Sequence, residues 1–522
     1  MRKNLGVCLF SSILLLVFSA HLGAQTPDQK PPEAKAAEAK PAAEAPAPKE
    51  ESSTTDHTIR IGNQTINYKA TAGTILLKND KDEPTALIYS TSYVKSDVKD
   101  PSQRPISFIY NGGPGSSSIW LHMGAFGPRR AVTVNADFTP PPPYQMADNM
   151  QTLLDKTDMV FIDPVGTGFS HAVGKAANKD FYGIDQDVKS LAQFVNIYVT
   201  RNDRWNSPKF LIGESYGTFR SAALGNYLQS HDSMQLNGIV LISSVLDFST
   251  LSFDPEDDRP YIGYLPSYAA IAWYHKMLKD PPADLTAFLD EVRHFAVTEY
   301  DQALLKGDRL TAGEKADMAK KLSRYTGLSE DYLIKADLRV NEPQFAAELQ
   351  RNRGLNTGRI DARFSGPSLD LLSEYAFNDP QGPAIGGAYV ALWNAYVRDD
   401  LKFVQTGEDK TYHVFADGTQ DWDFKHAGPG VGFPSSPNVG PDLATALQTN
   451  PHLQVEVENG YFDLATPFFA TEFTMDHLGL PESLKKNITL KYYTAGHMMY
   501  LHDDDRVKLH ESVAAFIDRT AK

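Results

Sequence analysis

Hydrophobic and polar positions change rhythm along this chain. From His57 to Lys95 they alternate, in segments such as HTIRI, INYKA and ALIYSTSYV, which predicts antiparallel strands joined by polar turns at Gly62-Asn63 and Lys78-Asn79-Asp80. Beyond that point the apolar runs become short and unbroken. They lie at Ile106–Tyr110, Met159–Ile162, Phe210–Ile212 and Ile239–Ile242, are dense in Ile, Val and Phe, and are separated by helix-like stretches. This pattern predicts a mostly parallel sheet wrapped by helices, an α/β architecture.

Between roughly Ser249 and Asp379 the strand pattern stops. Helix-favouring sequence such as ADLTAFLDEVRHFAVTEYDQALLK and AGEKADMAKKLSRY takes over, and we expect residues 249–385 to form a helical cap inserted after a sheet strand. The sheet is expected to resume at Gln454–Val457 and Ile488–Tyr492, with a helix from about Asp505 to Ile517 closing the fold. The catalytic domain would then comprise residues 56–248 and 386–522. No internal repeat is visible.

The N-terminus pairs Arg2 and Lys3 with an apolar run from Leu5 to Ala20 and small residues at Gly23 and Ala24. Residues 1–24 therefore read as a Sec-type signal peptide, too short in its apolar part for a membrane span, and imply a secreted or periplasmic protein with no span after cleavage. Residues 25–55, rich in Pro, Ala, Lys and Glu, read as a disordered tether, with folded sequence beginning near His57.

With 522 residues and 42% hydrophobic content, the chain is long enough for one large catalytic domain carrying an insertion. A formal net charge of −15 argues against nucleic acid as a partner. The single cysteine, Cys8, lies in the apolar leader, so the mature protein would lack a thiol nucleophile, disulfides and thiolate metal sites. No metal or cofactor is expected: no His-Glu-x-x-His occurs, and Asp503-Asp504-Asp505 lacks the spacing of a calcium loop.

One motif supplies chemistry. Gly213-Glu214-Ser215-Tyr216-Gly217 follows an apolar strand and opens a helical stretch. Chance alone produces G-x-S-x-G about 0.2 times in a chain of this length, so context decides. Two glycines let strand and helix approach while Ser215 occupies a strained turn that exposes its hydroxyl. The α/β-hydrolase fold uses this nucleophile elbow.

A serine hydroxyl needs an imidazole to take its proton and a carboxylate to hold that imidazole. Asp463 follows the strand Gln454–Val457 through a glycine turn, and His497 follows Ile488–Tyr492 through Ala495-Gly496. The chain order Ser215, Asp463, His497 is the order this fold requires. Asp247 and Asp476 are alternative orienters, and His502 an alternative base, although its neighbours Asp503 to Asp505 suit a helix start.

Four blocks together resemble the serine carboxypeptidase family: Asn111-Gly112-Gly113-Pro114-Gly115-Ser116-Ser117-Ser118, Asp163 to Ser170 (DPVGTGFS), Gly213 to Gly217, and Ala495-Gly496-His497-Met498. The resemblance spans roughly Gly62 to the C-terminus. It implies a secreted hydrolase acting on peptides with a free C-terminus. It also implies that Asn111, Gly112 and Glu214 bind the terminal carboxylate. The glycine-rich turn can aim backbone N–H groups at a developing oxyanion, making Gly113 and Tyr216 the expected oxyanion hole, although the same residues suit a plain tight turn.

Two departures stand out. Ser116 occupies the place of a usual family cysteine, and Ala125 that of a second glutamate which would share a proton with Glu214. Arg129 and Arg130 follow closely and could bind a carboxylate instead, or could be plain surface residues. An esterase or acyltransferase using the same three residues is the alternative function, and a binding protein without activity the third.

Overall fold

The computed structural model describes residues 47–376, 378–405, 407–429 and 436–521. The expected leader and residues 25–46 of the expected tether lie outside the described residues.

Nine strands run through the main sheet: β1 (Ser52–Ile61), β2 (Gln64–Lys78), β3 (Pro84–Lys95), β4 (Ile106–Tyr110), β5 (Asp158–Ile162), β6 (Lys209–Glu214), β7 (Gly238–Ile242), β8 (Gln454–Gly460) and β9 (Ile488–Tyr493). Their order is β1-β2-β3-β5-β4-β6-β7-β8-β9, with the two-residue strand His171–Ala172 added against β3. The first three strands pair antiparallel and β3 meets β5 antiparallel; all later pairings are parallel. Burial explains the two rhythms in the sequence. β1 and much of β2 alternate between exposed and covered positions, whereas every residue of β4, β5, β6 and β7 is buried.

Helices cover both faces. Ile184–Arg201, Tyr216–His231 and Gly440–Thr449 supply Val188, Leu191, Phe219, Leu224 and Leu443 to one apolar layer. The C-terminal helix Asp503–Thr520 packs Leu509, Val513 and Phe516 on the other, beside Tyr389, Trp393 and Tyr396 of helix Gln381–Asp399. The insertion after β7 is helical, with Arg259–Tyr274, Leu285–Phe295 and Ala312–Thr326 sharing a third cluster that also takes Tyr461, Phe462 and Phe468 from the segment after β8.

Three boundaries differ from expectation. Ordered structure begins before His57: β1 starts at Ser52, and Glu50 already accepts from the Leu76 amide at 2.7 Å and from both ends of the Arg201 guanidinium. The expected cap end at residue 385 falls inside helix Gln381–Asp399, whose Ile385 and Tyr389 belong to the catalytic core. The cap also contains a short hairpin, Leu355–Thr357 with Ser365–Pro367, which its helix-favouring sequence did not announce.

Candidate active site

Ser215 directly follows the central strand β6 and caps helix Tyr216–His231 with φ 61° and ψ −131°. Non-glycine residues rarely hold such angles, and doing so costs about 1–3 kcal/mol that the surroundings must supply. They do so by close approach. A Cβ on Gly213 would lie 2.2 Å from the Gly217 carbonyl oxygen, and one on Gly217 3.0 Å from that of Tyr110. The Ser215 amide donates to the Ile242 carbonyl at 3.0 Å, which ties the elbow to β7.

Asp463 and His497 leave the ends of β8 and β9 and meet there. His497 Nδ1 lies 2.8 Å from Asp463 Oδ2, and both residues are buried. The same carboxylate accepts from the amides of Ala465 and Thr466 and from the Thr466 hydroxyl, so its position is fixed from several directions. The imidazole is held as well. The His497 amide donates to Ile360, and its carbonyl accepts from Ser243 Oγ at 2.6 Å. Burial pushes the His497 imidazole down, but the Asp463 carboxylate, helped by Glu214, outweighs it and leaves the ring titrating above the ordinary histidine value. With Nδ1 engaged by Asp463, Nε2 is the nitrogen left for a proton acceptor's task.

The glycine-rich turn after β4 lies against this elbow. A Cβ on Gly112 would sit 2.4 Å from the Tyr216 amide nitrogen, so only glycine lets the two backbones meet. Gly113, at φ 105°, and Tyr216 both line the cavity, and their amides donate to no backbone carbonyl among the described residues. Asn111 Nδ2 donates to Glu214 Oε1 at 2.7 Å, while its Oδ1 accepts from the Leu121 amide. Burial pushes the Glu214 carboxyl up to about 7, against the pull of His497 and of the Tyr500 and Asn111 side chains. Glu214 therefore carries a proton at mildly acidic pH although Ala125, fully buried, offers it no acidic neighbour.

Two buried ionic groups position this turn, and neither was evident in the sequence. Asp163 Oδ1 accepts from the Ser118 amide at 2.8 Å and its hydroxyl at 2.7 Å, and Gly168 leaves room for that carboxylate, since a Cβ there would meet Asp163 Oδ2 at 1.8 Å. The block Asp163 to Ser170 thus acts as a brace for the Asn111 to Ser118 turn. Arg220, on the helix after Ser215, pairs with Asp187 at 2.6 Å and donates to the Asn111 carbonyl at 2.6 Å, with its guanidinium over Tyr110 and Tyr216. Its one signal in the sequence is a lone arginine in an otherwise small and apolar helix.

These residues open onto a cavity of about 530 Å³ lined by Asn111, Gly112, Gly113, Glu214, Ser215, Tyr216 and His497. Its other walls are mostly apolar, including Trp120, Phe248, Ile385, Val414 and Phe415, with Arg359 and Asp379 entering from the cap side. Ser215 and His497 thus share one cavity without a direct hydrogen bond between their side chains.

The alternatives weighed in the sequence fall elsewhere. Asp247 caps a short helical turn, accepting from the amide and hydroxyl of Ser249. Asp476 ends helix Phe468–Asp476 and makes no hydrogen bond to His497. His502 lies 2.9 Å from Asp505 at the start of the C-terminal helix. Arg129 pairs with Asp148 at 2.5 Å, and neither it nor Arg130 lines the cavity, so the structure does not bring these two arginines to the site. Among the described residues, no cluster of three or more His, Cys, Asp or Glu could hold a metal ion, and no helix is long and apolar enough to cross a membrane.

The parallel sheet, the serine elbow at the end of a central strand and the helical insertion define the α/β-hydrolase fold. Within that class, a family model described as serine carboxypeptidase matches residues 62–305. That span contains the first three sequence blocks and Ser215 but ends before Asp463 and His497. Similar curated proteins from Arabidopsis thaliana are serine carboxypeptidase-like 45, 26% identical over 38% of this chain and 42% of its own length, and serine carboxypeptidase-like 46, 24% identical over 44% and 45%. The chain spans less than half the length of these relatives. In fold it is similar to the crystal structure of Kex1(delta)p, a prohormone-processing carboxypeptidase from Saccharomyces cerevisiae, with a TM-score of 0.54, 16% identity and coverage of 87% of this chain and 92% of that one.

Proposed function

We propose that the protein is a serine-type carboxypeptidase that removes C-terminal residues from peptides through an acyl-enzyme on Ser215. One observation carries the reading: the His497–Asp463 pair, the strained Ser215 and the Asn111–Glu214 hydrogen bond converge on one cavity. The similarity to serine carboxypeptidases over residues 62–305 supports it.

In this reading, Ser215 Oγ attacks the scissile carbonyl carbon as His497 Nε2 takes its proton. The new oxyanion accepts from the Gly113 and Tyr216 amides, each donor worth about 3–4 kcal/mol. Collapse breaks the C–N bond, and the imidazolium returns its proton to the departing amine. Water then attacks the ester, with His497 again the base, and releases the shortened peptide. Asn111 and Gly112 with a protonated Glu214 hold the free carboxylate of the leaving residue, because a neutral acid can donate a hydrogen bond where an ionised one repels.

We also propose export, with residues 1–24 as leader and the segment that follows, up to the ordered contacts of Glu50, as a tether, so that the enzyme acts outside the cytoplasm; the Arg2-Lys3 pair and the apolar run after it support this. A fluorophosphonate probe tests the nucleophile. It should modify the wild type at Ser215 and leave Ser215→Ala unmodified; modification at another residue sinks the assignment.

A further inference from the structure

Arg359 is the one lysine or arginine among the described residues lining the cavity. It comes from the cap hairpin and forms no hydrogen bond to Asn111, Gly112 or Glu214. Its neighbours leave the guanidinium available. Glu342 Oε2 forms a loose ion pair with Arg359 Nε at 3.6 Å, too long for a hydrogen bond, and the arginine side chain is 51% exposed. Burial pushes Glu342 up to about 7, against the pull of Arg359, so that below neutrality it is largely uncharged. Asp379, the other nearby acid, is occupied by backbone: Oδ2 accepts from the Arg359 and Ile360 amides, and Oδ1 from Gln381.

The arginine is also close to the reacting groups. The next residue, Ile360, accepts the His497 amide at 2.8 Å, and the positive charge of Arg359 acts on the imidazole. A cation with guanidinium donors free of hydrogen bonds, in a cavity whose walls are mostly apolar apart from Asp379, favours a carboxylate and disfavours an ammonium group.

We infer that Arg359 is a specificity-determining residue that selects peptides bearing an acidic side chain on a residue flanking the scissile bond. The inference rests on the carboxypeptidase reading and names its substrate class. Because Arg359 stands on the cap, apart from the Asn111–Glu214 subsite, its carboxylate partner is a side chain and not the peptide terminus.

The test compares kcat/KM for N-blocked dipeptides with Asp or Asn, and Glu or Gln, at the last or the penultimate position, using the mature wild type, Arg359→Gln and Arg359→Glu. The wild type should prefer the acid over its amide isostere by about ten- to a hundredfold at one of the two positions. The ratio should collapse toward one in Arg359→Gln, and Arg359→Glu should turn the preference toward Lys. A wild type that cleaves neutral dipeptides with no acid preference overturns the inference and leaves the proposed function intact. An Arg359→Gln that loses all free-acid peptides by one factor also overturns it, assigning the arginine to the terminal carboxylate. If no dipeptide is cleaved by the wild type, the carboxypeptidase reading itself fails.

Discussion

Asn111 donates to Glu214 across 2.7 Å, joining the turn after one central strand to the residue immediately before Ser215. The bond explains how two segments a hundred residues apart build one subsite. Asn111 is itself held by the Arg220 guanidinium on its carbonyl and by the Leu121 amide on its side chain, so the amide's aim is fixed before any substrate arrives.

Glu214 sets a pH dependence. Its carboxyl is raised to about 7, and the proposed binding of a carboxylate needs the protonated form, so kcat/KM for a free-acid peptide should fall as pH rises through about 7. His497 must be neutral and titrates above its ordinary value, so activity should also fall on the acid side. A narrow bell for the free acid, and no alkaline fall for an uncharged ester, is the expected pair of profiles. Glu214→Gln should remove the alkaline fall. In stability, the contribution of Glu214 is fully present below about 4.5 and lost as pH rises through about 7, and the same substitution should flatten that slope in urea titrations.

Asp463→Asn should lower kcat by about ten-thousandfold, because the amide reverses the hydrogen bond that fixes the His497 tautomer. Circular dichroism should show the fold retained. A loss below tenfold would mean another acid orients the imidazole.

Gly112→Ala should separate the turn from the elbow, since its new methyl would fall 2.4 Å from the Tyr216 amide nitrogen. Displacing one oxyanion donor costs about a hundred- to a thousandfold in kcat. Peptide turnover by purified variant checks this, and activity within twofold of wild type contradicts the proposed hole.

Arg220→Leu leaves Asp187 buried without its partner and should destabilise the protein by about 3–5 kcal/mol, read from the urea midpoint. Arg220→Leu with Asp187→Leu should recover part of that loss. If the single and double variants unfold together, the pair contributes nothing through charge.

Much of the sheet was legible in the sequence because its strands are buried on both faces and so have no reason to alternate: Ile106–Tyr110 spans the whole of β4. Ser215, Asp463 and His497 could be singled out because each follows a readable strand, and the structure brings them to the ends of β6, β8 and β9. What escaped depends on contacts distant in sequence. Nothing local marks Arg220 as the partner of Asn111, 109 positions away. Nor does anything near Asp163 point to Ser118. Gly386 and Gly387 weaken the helical pattern where the cap was expected to end, yet the helix runs through them; Gly387 marks a close approach, since a Cβ there would lie 2.6 Å from the Tyr144 hydroxyl. At the N-terminus, Ser52 to Thr55 looked like more tether because their short polar side chains bury little; their strand exists through its pairing with β2.

The central claim is tested most directly by release of a C-terminal amino acid from an N-blocked dipeptide, compared with its C-terminal amide, using the mature protein and Ser215→Ala. The free acid should be cleaved, the amide should resist, and the variant should be inactive on both. Resistance of both peptides while a simple ester is hydrolysed through Ser215 would contradict it, leaving a serine hydrolase without a carboxylate site.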